Sequence, residues 1–120
     1  MQDFHQLKVW QKSHAVALAI YKATSSFPKE ELYGLTSQMR RAAVSVPSNI
    51  AEGCGRDSQP QFAHFLQIAF GSASELEYQL LLARDLGFLV TPAHSTLNAD
   101  ITECKRMLTS LIQTVQTANR

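Results

Sequence analysis

Arg41, Ser45, Ser48, Asn49, Glu52 and Arg56 recur at spacings of three and four, and Arg40 stands next to the first of them. On a helix this is a polar stripe, turned away from the apolar Leu35, Met39 and Val46. Arg40, Arg41 and Arg56 carry planar donor forks that suit phosphates or carboxylates. Asn49 and Glu52 would complete the surface, so Arg40, Arg41, Asn49, Glu52 and Arg56 are the candidate residues for binding nucleic acid or another partner. The same spacing also suits a solvated face, or a polar network between helices in which Glu52 pairs with an arginine and Asn49 caps backbone freed near Pro47.

Other chemistry has less support. Glu52-Gly53-Cys54-Gly55-Arg56-Asp57-Ser58 is a glycine-bearing turn into a helix N-terminus, a geometry that can hold an anion. It lacks the Lys-Ser/Thr ending of a phosphate-binding P-loop and reads as a helix-to-helix turn, with no nucleotide assigned. His5, His14, His64 and His94 are dispersed, with no pair four apart beside a carboxylate, so no metal site is expected. Glu75 and Glu77, two apart on a helix, point to different sides. Cys54 has no histidine at a spacing that suggests a catalytic pair. His14 falls on an apolar row and is expected to be partly buried and hydrogen-bonded. The expectation is a protein without catalytic residues, cofactor or metal.

The elements that position the stripe follow from hydrophobic periodicity. Leu7, Trp10, His14, Ala17, Tyr21 and Thr24 form one row and Val9, Val16 and Ile20 a second, predicting a helix over about 5–26 that stops before Pro28. Leu35, Met39, Ala42, Val46 and Ile50 predict a second helix over 33–53, kinked near Pro47. Ser58, Pro60 and Gln61 make a capping box that opens a third helix over 59–86. Its row is Phe62, Leu66, Ala69, Ala73, Leu76, Leu80 and Ala83, and Gly87 caps its end. Thr91-Pro92 starts a fourth helix over 92–118, with Leu97, Ile101, Cys104, Leu108, Leu111, Val115 and Ala118 as its row. No segment reads as a strand. Residues 1–120 are therefore expected to form one all-α domain, an up-and-down antiparallel four-helix bundle. Val9, Leu18, Phe65, Phe70, Leu81 and Leu82 lie off the main rows, and such surplus apolar surface points to a homo-oligomer.

Composition bounds the rest. Eleven Lys and Arg against ten Asp and Glu, for a net charge of +1, lack the basic excess of a domain that binds nucleic acid through charge alone. Two distant cysteines, and an N-terminus without a basic and apolar leader, point to the reducing cytoplasm. The longest uncharged stretch, 58–74, is interrupted by polar residues, so no membrane span is expected.

Read in order, Leu7-Lys8-Val9-Trp10-Gln11, the run from Tyr33 through Ala43 (Tyr-Gly-Leu-Thr-Ser-Gln-Met-Arg-Arg-Ala-Ala) and Val46-Pro47-Ser48-Asn49-Ile50-Ala51-Glu52-Gly53 form a recognisable series. It continues through Gly55-Arg56, Phe65-Leu66-Gln67-Ile68-Ala69, Gly71-Ser72-Ala73-Ser74-Glu75-Leu76-Glu77 and Ala83-Arg84-Asp85-Leu86-Gly87. Over nearly its whole length the sequence resembles the four-helix bundle family of 23S rRNA-intervening-sequence proteins. That resemblance implies a ring-like homopentamer, encoded in some bacteria within insertions of ribosomal RNA genes and elsewhere by free-standing genes, with no established enzymatic activity. A related branch, the accessory variability proteins of diversity-generating retroelements, partners a reverse transcriptase and binds nucleic acid through a strongly basic pentamer. The net charge of +1 departs from that branch, while Arg40, Arg41 and Arg56 match motif positions. The resemblance thus implies RNA, DNA or an RNA-processing protein as partner, against the alternative of a protein scaffold that binds no nucleic acid.

Overall fold

The computed structural model describes residues 2–118, and four helices account for most of them: α1 (Lys8–Thr24), α2 (Leu35–Cys54), α3 (Gln59–Asp85) and α4 (Thr91–Ala118). Consecutive helices pack antiparallel and α4 closes back on α1, so each helix has two neighbours around a central core. The result is elongated, 48 × 23 × 20 Å, because α3 alone is about 40 Å long at 1.5 Å per residue. No strand occurs among the described residues.

Local chemistry sets the boundaries. The Asp3 carboxylate accepts from the His5 backbone N–H at 3.1 Å and starts a short 3-10 turn over Phe4–Gln6. Leu7 is extended, so α1 begins at Lys8, later than residue 5. After α1, Ser25 and Ser26 hydroxyls donate to the carbonyls of Tyr21 and Ala23, competing with further helix, and Pro28 leads into a second 3-10 turn, Lys29–Glu31. The Glu31 carboxylate then accepts from the Leu35 N–H at 3.2 Å, at the start of α2. Ser58 caps α3 by accepting from Gln61 N–H at 3.3 Å. Its other end is a Schellman turn: Phe88 N–H donates to Ala83 O at 2.9 Å and Gly87 N–H to Arg84 O at 3.0 Å. Gly87 adopts φ +80°, where a side chain would be strained. Thr91 is the first residue of α4, not its cap, since His94 N–H already donates to Val90 O.

The heptad rows of α2 and α3 are buried throughout, with Ile50, Leu66, Leu76 and Leu80 wholly enclosed, and Ile101, Cys104 and Leu108 of α4 complete the core. The row assignment for α1 needs correction. Its core seam is Val9, Ser13, Val16, Ala17, Ile20 and Thr24, while Trp10 is half-buried and His14 and Tyr21 are exposed. Ser13 can occupy the seam because its hydroxyl donates to its own helix at Trp10 O, 3.0 Å away. His14 therefore has no structural burial; its ring lies parallel to that of Trp10, with centroids 5.0 Å apart.

α2 continues through Pro47, which is buried. Asn49 does not cap the Ala43 carbonyl that Pro47 leaves without a helical donor. Its amide Nδ2 donates instead to Ser45, at O (2.8 Å) and Oγ (2.9 Å). Near the end of α2, Gly53 permits a close crossing: a Cβ there would lie 3.0 Å from both Phe62 Cδ1 and Phe65 Cβ of α3. No helix among the described residues is long and apolar enough to cross a membrane.

A polar groove between α2 and α3

The polar stripe of α2 does lie outside the core, and the packing divides its residues into two groups. At the N-terminal end, Arg40 and Arg41 line an open groove of about 680 Å³ with Gln38, Ser45, Tyr21 of α1, and Ser72 and Glu75 of α3. Roughly 20 Å further along the helix, at 1.5 Å per residue, Arg56 and Glu52 pair with each other at 2.7 Å. The Arg56 guanidinium also lies over the Phe65 ring, 4.7 Å from its centroid. Asn49 sits between, half-buried and bonded to Ser45. Glu52 and Arg56 thus form an internal pair at the α2–α3 turn and do not join the two upstream arginines.

Inside the groove the two arginines differ. Arg40 is an inter-helix clamp: its Nε donates to Thr24 Oγ1 at 2.9 Å, a terminal nitrogen donates to Tyr21 O at 3.4 Å, and its guanidinium covers the Tyr21 ring at 4.7 Å. The carbonyls at the α1 C-terminus favour that positive charge. Arg41 is exposed and, alone among the described arginines, has neither an ion pair nor a hydrogen bond; Arg56, Arg84 and Arg106 are each paired with a carboxylate. The hydroxyls of Ser45 and Ser72, 2.8 Å apart, join the two walls. Glu75 Oε2 accepts from Gln79 Nε2 at 3.1 Å.

Ser72, Glu75 and Gln38 were not singled out by the stripe on α2. On α3, however, Ile68, Ser72, Glu75 and Gln79 step by four, three and four beside the heptad row, a weaker polar stripe that was open to the same reading. Across the ridge formed by Val44 and Tyr21 lies a second, nearly all-apolar groove of about 520 Å³ between α1 and α2, lined by Phe4, Trp10, His14, Leu18 and Pro47 among others.

Both cysteines are buried. Burial pushes the thiols of Cys54 and Cys104 upward, Cys104 to about 11, which disfavours the nucleophilic thiolate. Among the described residues no three His, Cys, Asp or Glu side chains gather where they could hold a metal ion.

Comparison with known proteins agrees with this architecture. No curated protein sequence matches the chain. A crystal structure of a protein with unknown function from the S23 ribosomal protein family of Bacteroides thetaiotaomicron VPI-5482 is similar, with TM-score 0.79 and 29% identity, covering 87% of this chain and 97% of that one. The family model for the 23S rRNA-intervening sequence protein matches residues 5–110, from the turn before α1 far into α4. With the match spanning all four helices and both walls of the polar groove, the chain belongs to the 23S rRNA-intervening sequence protein family.

Proposed function

We propose that this protein is a non-enzymatic subunit of a homo-oligomer, ring-like and pentameric as the family resemblance implies, that presents the α2/α3 groove to RNA or DNA. The observation that carries the binding half is Arg41, an exposed guanidinium without a carboxylate partner among the described residues, beside Arg40 and the Ser45–Ser72 hydroxyl pair. A free planar fork next to neutral donors suits a phosphate group. One such site is weak in a chain of net charge +1, and repetition around a ring raises the local field and the avidity. The apolar α1/α2 groove supports the assembly half, since Leu18, Tyr21 and Val44 are exposed there on a face with almost no polar surface.

Fluorescence anisotropy with structured RNA and with single- and double-stranded DNA, at several salt concentrations, tests the binding. Arg41→Glu should abolish it, while Arg56→Glu, at the internally paired end, should have the smaller effect. Absence of binding at low salt, or binding unchanged by Arg41→Glu, overturns the nucleic-acid reading. Light scattering tests the assembly, and a monomer at micromolar concentration overturns that. The apolar α1/α2 groove also favours a second reading, a protein scaffold without nucleic acid; purification of an RNA-free protein complex from the native host would select it.

A further inference from the structure

We propose that the α2/α3 groove receives one unstacked nucleotide with its phosphate against Arg41 and with a base that offers hydrogen-bond donors, guanine foremost, to the Glu75 carboxylate. This rests on the nucleic-acid reading above and adds a base preference to it. A groove for phosphates alone has no use for a carboxylate, which repels them. Yet Glu75 lines the same groove as Arg40 and Arg41 and forms an ion pair with neither. It is held from behind by Gln79, a side chain only 4% exposed. Gln79 directs its amide N–H₂ at Glu75 while its own Oε1 stays buried without a partner. The opposite amide orientation would set that oxygen against the carboxylate, so repulsion fixes the arrangement. A buried orphan acceptor is costly, and what it accomplishes here is to position an exposed carboxylate whose other oxygen accepts no hydrogen bond among the described residues.

An acceptor-only group selects donors. The Watson–Crick edge of guanine presents N1–H and N2–H₂ side by side, matching two carboxylate oxygens. Cytosine and adenine offer one exocyclic amine each, and uracil offers a single N3–H between two carbonyls that repel a carboxylate. Those edges are hidden in a duplex, so the ligand is single-stranded. The open groove, about 680 Å³, has room for a nucleotide.

The test measures anisotropy of labelled octauridylate and of the same strand with guanosine at one or two central positions, with free guanosine and uridine monophosphates as competitors. Guanosine substitution should tighten binding about tenfold. Glu75→Gln should erase that difference while binding octauridylate at least as tightly, since the carboxylate no longer repels its phosphates and uracil carbonyls, and Arg41→Glu should weaken both strands. Both side chains are exposed, so circular dichroism should report intact folds. Equal affinity for the two strands, or a guanine preference that survives Glu75→Gln, overturns the base preference and leaves the nucleic-acid reading standing. No binding of either strand at low salt overturns both. Competition by guanosine monophosphate as strong as by the strand would place the ligand among free nucleotides and not RNA, overturning the strand and keeping the base edge.

Discussion

Replacing Gly53 with alanine should destabilise the bundle, although alanine is the better helix former. The new methyl would sit 3.0 Å from Phe62 Cδ1, 3.0 Å from Phe65 Cβ and 3.3 Å from Phe62 O. Two of these atoms belong to, or hang directly from, the α3 backbone, so no rotamer change relieves them; α2 and α3 must separate by several tenths of an ångström. Overpacking of this kind costs about 1–3 kcal/mol. The helix-propensity gain of up to about 1 kcal/mol is diminished one residue from the end of α2. A net loss of about 1–2 kcal/mol remains, a fall in Tm of about 4–8 °C for a domain of this size. The control is Gly71→Ala on the exposed side of α3, where no atom lies within 4 Å of the added Cβ; it should gain about 0.5–1 kcal/mol. Urea melts of both variants, at one fixed protein concentration because oligomer stability depends on it, measure the difference. If Gly53→Ala proves as stable as Gly71→Ala, α2 and α3 are not held in close contact at that crossing and the packing argument fails.

Arg40→Ala should cost about 1 kcal/mol by removing the Thr24 bond between α1 and α2, while Arg41→Ala should stay within about 0.5 kcal/mol of the parent; equal losses in denaturant melts would contradict the division of roles between them. Leu76→Asp places a carboxylate at a site with no exposure and should abolish the cooperative melt by circular dichroism, whereas a parent-like transition would mean the face is misassigned. Cys104 titrates at about 11 in the fold against an ordinary 9.0, because burial disfavours the thiolate. Below pH 9 both states are protonated and the thiol adds no pH dependence. Between pH 9 and 11 the unfolded chain ionises first, so stability should fall by about 1.4 kcal/mol per pH unit from this group. Cys104→Val should be correspondingly less sensitive over that range in melts at several pH values, and an unchanged slope would count against the burial.

Much of the fold was legible because helical burial repeats in sequence. On α3 the spacing of four and three runs from Phe62 to Ala83 without interruption, and every member is buried. The Ser58 N-cap and the terminal glycine at Gly87 act within a few residues of themselves, so their chemistry is readable without neighbours. On α1 periodicity offered two adjacent apolar rows, and spacing alone could not choose between them. Contact with α2 and α4 decides for Val9, Val16 and Ile20, leaving Trp10, His14 and Tyr21 at the margin of an apolar groove.

The candidate site divides in the same way. Arg41, Ser45, Asn49 and Glu52 share a stripe because they share a helix, and sequence spacing was enough to find it. The Glu52–Arg56 pair, four residues apart, was within reach of the same spacing, whereas that Arg40 clamps α1 and that Arg41 has no partner among the described residues depend on how the helices pack. Ser45 and Ser72 are 27 positions apart and meet at 2.8 Å only because α2 and α3 run antiparallel in one register. A helix specifies its own faces through a local repeat of 3.6 residues. Which faces meet, and hence which polar groups converge on one groove, is a property of packing between helices, where side-chain shape and the Gly53 crossing set the register.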